Sequence, residues 1–474
     1  MPFYQGRSCL SRQFDRVRTA FLQQDGLPLA EILPEDRIAE IFAQEGAEFA
    51  RDDDAVYTPA VTLWASLSQT LHKEELRSCL AAVARVALLC LALGRPACVK
   101  NSGAYCRARA KMPEVVLRRL TTETARGSES AAAKQWLWHG RHVLLADGTT
   151  ATMPDTPENQ AAYPQNPAQK PGLGFPIVRL VVLLSLATAM VWDMTLGPYT
   201  GKETGELALF RELLAGVDPG TIFLADRYYC SYFLIALALW GRRDFVVRLH
   251  QRRKLDFTKM RRLGGGDYLV LWTRPARPEW MDVQTYATIP ATLSLRLIKV
   301  QVRQPGFRVE SLWVVTTLTD KRKYSRKDIA ELYHQRWLAE LDIRTIKKTM
   351  GMDVLRCKSP AMVRREMWTC LLAYNLIRQA MLQAALLSGH APRQLSFALA
   401  LQTIAASLVL LGCVEEQSAA RIVATQLASL AEQLVGNRPN RVEPRAVKRR
   451  SKPIALLMTP RDEARAELLR RRSH

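Results

Sequence analysis

Paired metal-binding motifs are missing from this chain. Its nine cysteines (Cys9, Cys79, Cys90, Cys98, Cys106, Cys230, Cys357, Cys370 and Cys413) form no CxxC pair. Several lie in apolar surroundings, so they read as reduced, mostly buried thiols and not as a zinc ribbon. The seven histidines contain no HxH or HxxxH spacing, which argues against a zinc hydrolase. The longest apolar run, Leu180 to Trp192, is too short to cross a bilayer and is followed at once by Asp193. The opening MPFYQGRSCL lacks the charged and apolar regions of a signal peptide. No membrane partner is therefore expected, and a cytoplasmic, nucleoid-associated location is. Acid is also scarce: 45 Asp and Glu stand against 67 Lys and Arg, a net charge of +22. Such a surplus favours a polyanionic partner, with nucleic acid first because each neutralised phosphate releases counterions.

At 474 residues and 48% hydrophobic content the chain can bury several cores. Residues 1–130 read as helical, through LPEDRIAEIFAQEG, PAVTLWASLSQTL and an apolar helix from about Glu74 to Leu93. In NSGAYCRARAKMP, Ser102 can cap a short helix carrying Arg107, Arg109 and Lys111. A short basic helix between two others suits a helix-turn-helix reader of DNA, with Arg107 and Arg109 as its contacts; a helical bundle with a basic outer face is the plain alternative.

From Trp136 the periodicity changes. HVLLADGTT reads as a buried strand that delivers Asp147 at its end, and PIVRLVVLLS and AMVWDMTL as two more strands. The Pro- and Asn-rich segment after the first strand reads as a long loop. Then come a helix in KETGELALFRELLAG, a strand in TIFLAD that ends at Asp226, a helix in SYFLIALALWG and a strand in DFVVRL. Three adjacent strands followed by alternating helices and strands is the order of a ribonuclease-H-like domain. Residues 131–250 would be its first part.

Residues 251–320 read as an all-β insertion with a basic surface, in which alternation puts Lys299, Gln301 and Arg303 on one face and Pro305-Gly306 forms a hairpin turn. The second part of the core, 321–387, starts at a capping signal, Ser325 with Asp328 three residues on. Residues 388–474 read as C-terminal helices and a basic Pro- and Arg-rich tail. The expected fold class is thus α+β/α/β multidomain: a ribonuclease-H-like catalytic domain interrupted by an all-β insertion and flanked by helical N- and C-terminal regions.

In the stretch YHQRWLAELDIRTIK, Tyr333, Arg336, Glu340 and Lys347 stand at the spacing Y-x2-R-x3-E-x6-K. On one continuous helix they would fall within roughly 60° of each other, as a single stripe. Taken alone, Arg336 and Glu340 are an i,i+4 pair contributing about 0.2–0.5 kcal/mol. Set beside Asp147 and Asp226, Glu340 completes three carboxylates that would hold two Mg²⁺ ions about 3.5–4 Å apart, able to activate a water or a 3′-hydroxyl on one side of a phosphorus and to stabilise the leaving oxygen on the other. Arg227, Arg336 and Lys347 would position phosphates, and Tyr333 would donate a hydrogen bond to one.

These residues resemble the insertion sequence 4 family of bacterial DDE transposases, the transposon-five-like proteins with the YREK signature. The signature is complete here as Tyr333, Arg336, Glu340 and Lys347, with an Asp in LLADGTT and another in FLADRYY. The resemblance implies a DNA transposase that cuts and pastes an insertion sequence by two-metal phosphoryl transfer: strand nicking, hairpin formation and opening, then strand transfer. It implies Asp147, Asp226 and Glu340 as the metal triad, Mg²⁺ with Mn²⁺ able to substitute, and DNA contacts from Tyr333, Arg336 and Lys347. The implied partners are double-stranded DNA, as terminal inverted repeats and target, and a second copy in a synaptic dimer. It also implies that Trp313 in SLWVVTT stacks on a flipped base; the plain alternative is a strand-core indole. Two other readings stay open: a non-catalytic transposase relic or regulator that binds DNA, and a ribonuclease-H-like junction nuclease.

Overall fold

The computed structural model describes residues 17–23, 35–46, 56–92, 101–301, 311–436 and 457–472. Its N-terminal helices are α1 (Glu35–Gln44), α2 (Pro59–Thr70), α3 (Cys79–Ala92), α4 (Gly103–Lys111) and α5 (Glu114–Ser130). α2 starts where Thr58 accepts a hydrogen bond from the Val61 amide and Pro59 takes the first helical position. The helix expected from Glu74 begins later, because Glu74–Arg77 forms a 3-10 turn and the α-helix starts at Cys79. Ser102 makes no side-chain cap on α4.

The central region carries β1 (Val143–Thr152), α6 (Pro157–Ala162), β2 (Ile177–Ser185), β3 (Val191–Pro198), α7 (Glu206–Leu214), β4 (Ile222–Ala225), α8 (Tyr232–Trp240) and β5 (Asp244–Arg248). The long loop after β1 is therefore interrupted by a short helix, capped by Thr156 on the Asn159 amide. Next come β6 (Arg261–Gly264), β7 (Asp267–Thr273), α9 (Val283–Thr288), β8 (Thr292–Gln301) and β9 (Ser311–Thr316). Among the described residues, nine strands join one sheet in the order β3-β2-β1-β4-β5-β9-β8-β7-β6.

One expectation is corrected here: the segment 251–320, expected to be all-β, holds the short helix α9; its strand β9 pairs antiparallel with β5 in the same sheet. β8 keeps the expected alternation at its end, where Ile298 and Val300 are buried while Lys299 is half-buried and Gln301 exposed; in its middle Leu295, Arg296, Leu297 and Ile298 are all buried, so there the strand is covered on both faces. Lys299 lies opposite Trp313 near the strand end. Arg303, the Pro305-Gly306 turn and the basic tail segment 438–453 lie outside the described residues.

Two apolar layers cover the sheet. Val143 and Leu145 of β1 face a core shared with the helices that follow the insertion, whereas Leu144 and Ala146 face Phe210, Phe223 and Ile235 on the other side. The later helices are α10 (Arg326–His334), α11 (Trp337–Arg344), α12 (Pro360–Ser388), α13 (Phe397–Cys413), α14 (Glu416–Glu432) and α15 (Arg461–Arg472). α10 opens with the expected capping box of Ser325 and Asp328. α12 is long and apolar enough to cross a membrane, yet its most apolar window is 89% buried inside the protein, against α2, α5, α13 and α14. Gly389 ends it in the left-handed conformation, φ 73°, that favours glycine.

Candidate active site

Strand register puts the two aspartates side by side. β1 and β4 run parallel and stay paired from Val143↔Ile222 to Ala146↔Ala225, so Asp147 and Asp226 are the next residue on each strand. Asp147 does not end its strand, contrary to expectation: β1 runs on to Thr152, held by β2 on one edge. On the other edge, where β4 has stopped, Thr152 exchanges hydrogen bonds with Asp353 and Leu355 (3.1 and 2.8 Å). Asp226 leaves the sheet and accepts the Tyr228 amide at 2.7 Å, which caps a single 3-10 turn.

The stretch from Tyr333 to Lys347 is not one helix. The Arg336 amide bonds back to Tyr333 and the Ala339 amide to Arg336 (both 3.1 Å), a three-residue spacing that breaks α10 from α11. After Arg344 the chain widens into a π-turn, Thr345–Thr349. The four side chains thus do not form one stripe on a continuous helix. Tyr333 is buried, and burial pushes its phenol up, against the pull of Arg336 and Arg248. Lys347 donates to Thr149 Oγ1 (2.9 Å) and the Thr150 carbonyl (2.7 Å), so it ties the π-turn to the free edge of β1. Burial lowers its pKa.

Arg336 and Glu340 form an ion pair, and Arg336 Nη1 also lies 4.0 Å from Asp147 Oδ2. The expected division, with Glu340 turned to metal and Arg336 turned to DNA, is therefore not the arrangement seen: the guanidinium stands between two of the three carboxylates. Burial disfavours its charge, and its hydrogen bond to Glu340, with Tyr333 and Asp147 nearby, more than offsets this, so its pKa is raised. α11 is fastened from behind by Asp342, 3% exposed, which sits between Arg378 (3.1 Å) and Arg393 (2.9 Å).

Burial raises the Asp147 carboxyl to about 6; Arg336 and the Gly148 amide oppose the shift, while Asp226 and Glu340 add to it. The folded protein then holds the extra proton between 3.8 and about 6, and stability falls as pH rises through that window. Asp147→Asn is expected to stabilise the metal-free protein by about 1–3 kcal/mol at pH 7.5, and by much less below pH 4. Thermal unfolding at both pH values checks this, and an equal shift at both would contradict the assignment.

Among the other sequence-predicted residues, Arg227 is exposed beside Asp226 and donates to Gln251 (2.6 Å). Trp313 is half-buried in β9, with its ring 5.5 Å from Phe257 and 6.0 Å from Tyr268. Arg107 and Arg109 do not share a face. Arg107 is exposed, whereas Arg109 turns inward to Gln69 (3.2 Å) and Cys357 (3.8 Å), lining a cavity between α2, α4 and α12. The joint recognition surface expected of the two is not formed.

One acid went unread in the sequence. Glu206, the first residue of α7, presses its carboxyl against Gly148: a Cβ built on that glycine would lie 2.2 Å from Glu206 Cδ. Burial raises the Glu206 carboxyl, Arg179 opposes the shift and Asp226 adds to it.

The donor chemistry suits a hard divalent cation. Asp147, Asp226 and Glu340 offer only oxygens, and the raised Asp147 carboxyl marks an acid that lacks enough positive charge beside it. Among the described residues, however, no three His, Cys, Asp or Glu side chains are gathered closely enough to form a ready metal cluster. Release of Glu340 from Arg336 is the change that would free the third acid for a cation.

A basic chain with paired strand aspartates and an acid-bearing helix beside them is of the DDE transposase class, and the family model described as Transposase DDE domain matches residues 138–376. Transposase InsG for insertion sequence element IS4, from Escherichia coli (strain K12), is 33% identical over 358 residues, covering 73% of this chain and 76% of that protein. The chain belongs to the insertion sequence 4 family of DDE transposases. A cryo-EM structure of a piggyBac transposase synaptic complex with hairpin DNA shares 10% identity at a TM-score of 0.42, over 90% of this chain and 87% of that one.

Proposed function

We propose that this transposase cuts and pastes its own element by DDE phosphoryl transfer, with Asp147, Asp226 and Glu340 as the catalytic acids. The observation that supports the reading is the β1–β4 register that sets Asp147 beside Asp226, with Arg336 lying between Asp147 and Glu340 and the Asp147 carboxyl raised to about 6, chiefly by burial. We read the β3-β2-β1-β4-β5 order as ribonuclease-H-like and the β6 to β9 segment as the insertion of this family. The acids would hold two Mg²⁺ ions, which supply a lowered pKa for the attacking hydroxyl and charge stabilisation at the leaving oxygen.

The chain's own residues then divide the work. Asp147 and Asp226 are fixed by the sheet register, and Glu340, now paired with Arg336, would reach them from α11. With a cation bound, Glu340 would leave Arg336, and the freed guanidinium would be placed to take a DNA phosphate next to the reacting one. Lys347 holds the β1 edge past Asp147 and so keeps that carboxylate in place. Exposed Arg227 extends the positive surface beyond Asp226. In sequence, water nicks one strand, the freed 3′-hydroxyl attacks the opposite strand to form a hairpin, the hairpin is reopened, and the end joins target DNA. Two copies would act on paired terminal repeats in the cytoplasm. The test is a Mg²⁺-dependent nicking assay on DNA carrying the cognate end, with catalysis lost in the Asp226→Asn variant.

Trp313 is proposed to stack on a flipped base during hairpin formation. Aromatic stacking contributes about 1–3 kcal/mol per base, so Trp313→Ala is expected to keep the first nick and to lose roughly tenfold or more of hairpin product. Quantifying both products on one labelled end checks this; an unchanged hairpin yield would leave the indole a packing partner of Phe257 and Tyr268.

One observation suits a second reading. The Arg336–Glu340 ion pair is the arrangement a chain would keep if it bound ends without cutting. End binding without nicking at any Mg²⁺ or Mn²⁺ concentration would favour that regulator.

A further inference from the structure

Glu206 is an acid whose structural partners are weak for its burial: the start of its own helix and, through space, Arg179. It opens α7, but the hydrogen bond given to its side chain is a long one, from the Tyr229 hydroxyl to Oε2 at 3.4 Å. Glu203, in the turn just before the helix, behaves as a surface acid should and pairs with Arg211. Glu206 instead lies half-buried against the backbone of β1, in the space a side chain at position 148 would need. That contact is possible only because residue 148 is glycine. The carboxyl is thereby brought within electrostatic reach of Asp226, and the buried Tyr229 ring feels Glu206, Asp147 and Asp226 together.

Resting on the active-site reading above, we propose that Glu206 is a fourth carboxylate of the metal site. It would approach from the face of the sheet opposite α11, with Asp226 in range of both Asp147 and Glu206. The site then has acids on both sides of the β1–β4 junction. Glu340 comes from a helix that can exchange it with Arg336, and Glu206 comes from a helix packed on β2 and β3. This gives the cation a fixed ligand on the side where Glu340 cannot reach. The Gly148 position becomes part of the metal site by its lack of a side chain.

The test is Mn²⁺ binding to the full-length protein without DNA, by isothermal titration and electron paramagnetic resonance. Glu206→Gln, which keeps the shape and the Tyr229 contact, is expected to weaken Mn²⁺ about tenfold. Gly148→Ala, which pushes the carboxyl away, is expected to do the same, and Glu203→Gln is expected to change nothing. Asp226→Asn separates the two levels of the argument. If the wild type binds Mn²⁺ and Asp226→Asn loses it, but Glu206→Gln binds as the wild type does, the fourth-ligand assignment is overturned and the three-acid reading stands. If Asp226→Asn binds Mn²⁺ as tightly as the wild type, the active-site reading itself fails. Should Glu206→Gln not fold, Gly148→Ala at wild-type affinity overturns the assignment by itself.

Discussion

Glu340→Gln is expected to abolish Mg²⁺-dependent nicking, by about 10³-fold or more, while end binding stays within a few-fold of the wild type. The magnitude follows from the role: a metal-held acid acts on charge that develops in the transition state, and a loss of about 4 kcal/mol there is a 10³-fold loss of rate. The fold should tolerate the change. Glu340 is partly exposed and its partner Arg336 has the Asp147 carboxylate close by, so removal of one carboxylate from this pair costs about 0–1 kcal/mol. The amide of Gln can still accept from Arg336. A labelled-end nicking assay beside a gel-shift titration separates the two effects. Full cleavage by the variant would remove Glu340 from the chemistry, and loss of both activities would point to DNA binding instead.

The Arg336 position gives that experiment a second meaning. On the proposed reading, a guanidinium paired to Glu340 and 4.0 Å from Asp147 would keep two acids partly neutralised until a cation arrives. The same side chain can then turn to phosphate. Arg suits this exchange because its planar fork binds carboxylate and phosphate alike.

How far the sequence showed this depends on what each residue's pattern can carry. β2 and β3 were readable because strands covered on both faces give unbroken Val and Leu runs. The extension of β1 through Gly148-Thr149-Thr150-Ala151-Thr152 was not, since small polar residues carry no apolar period and the strand is held there by neighbours distant in sequence. The YREK spacing was visible, but the break at Gln335-Arg336 and the π-turn after Arg344 were not, because no proline or glycine marks them. Arg109 shows why a basic helix is weak evidence for a DNA face: composition cannot say which cations turn inward. Glu206 was hidden by a commoner explanation. An acid in the first turn of a helix is ordinary on dipole grounds, and only the contact with Gly148 distinguishes it. A glycine directly after the strand aspartate was the signal available.

Arg296→Met is expected to cost about 3–5 kcal/mol of stability. Arg296 is 1% exposed and makes a two-point contact with Asp267, itself 6% exposed, at 2.9 and 2.7 Å. Its remaining nitrogen donates to the Tyr324 carbonyl at 2.6 Å, just before α10. The pair therefore joins β7 and β8 to the start of the segment that leads to Glu340. Removal of the cation leaves Asp267 buried and unpaired, and the penalty comes mainly from that stranded charge. The double variant Arg296→Met with Asp267→Leu should accordingly recover most of the loss, because a buried ion pair replaced by apolar groups is often neutral. Urea unfolding of both single variants and the double variant measures the coupling. A single-variant cost under 1 kcal/mol would mean that water reaches Asp267. If instead the double variant is stable but nicks DNA slowly, the pair's contribution is to orient α10 and α11 on the insertion, and the sheet extension serves the active site as well as the fold.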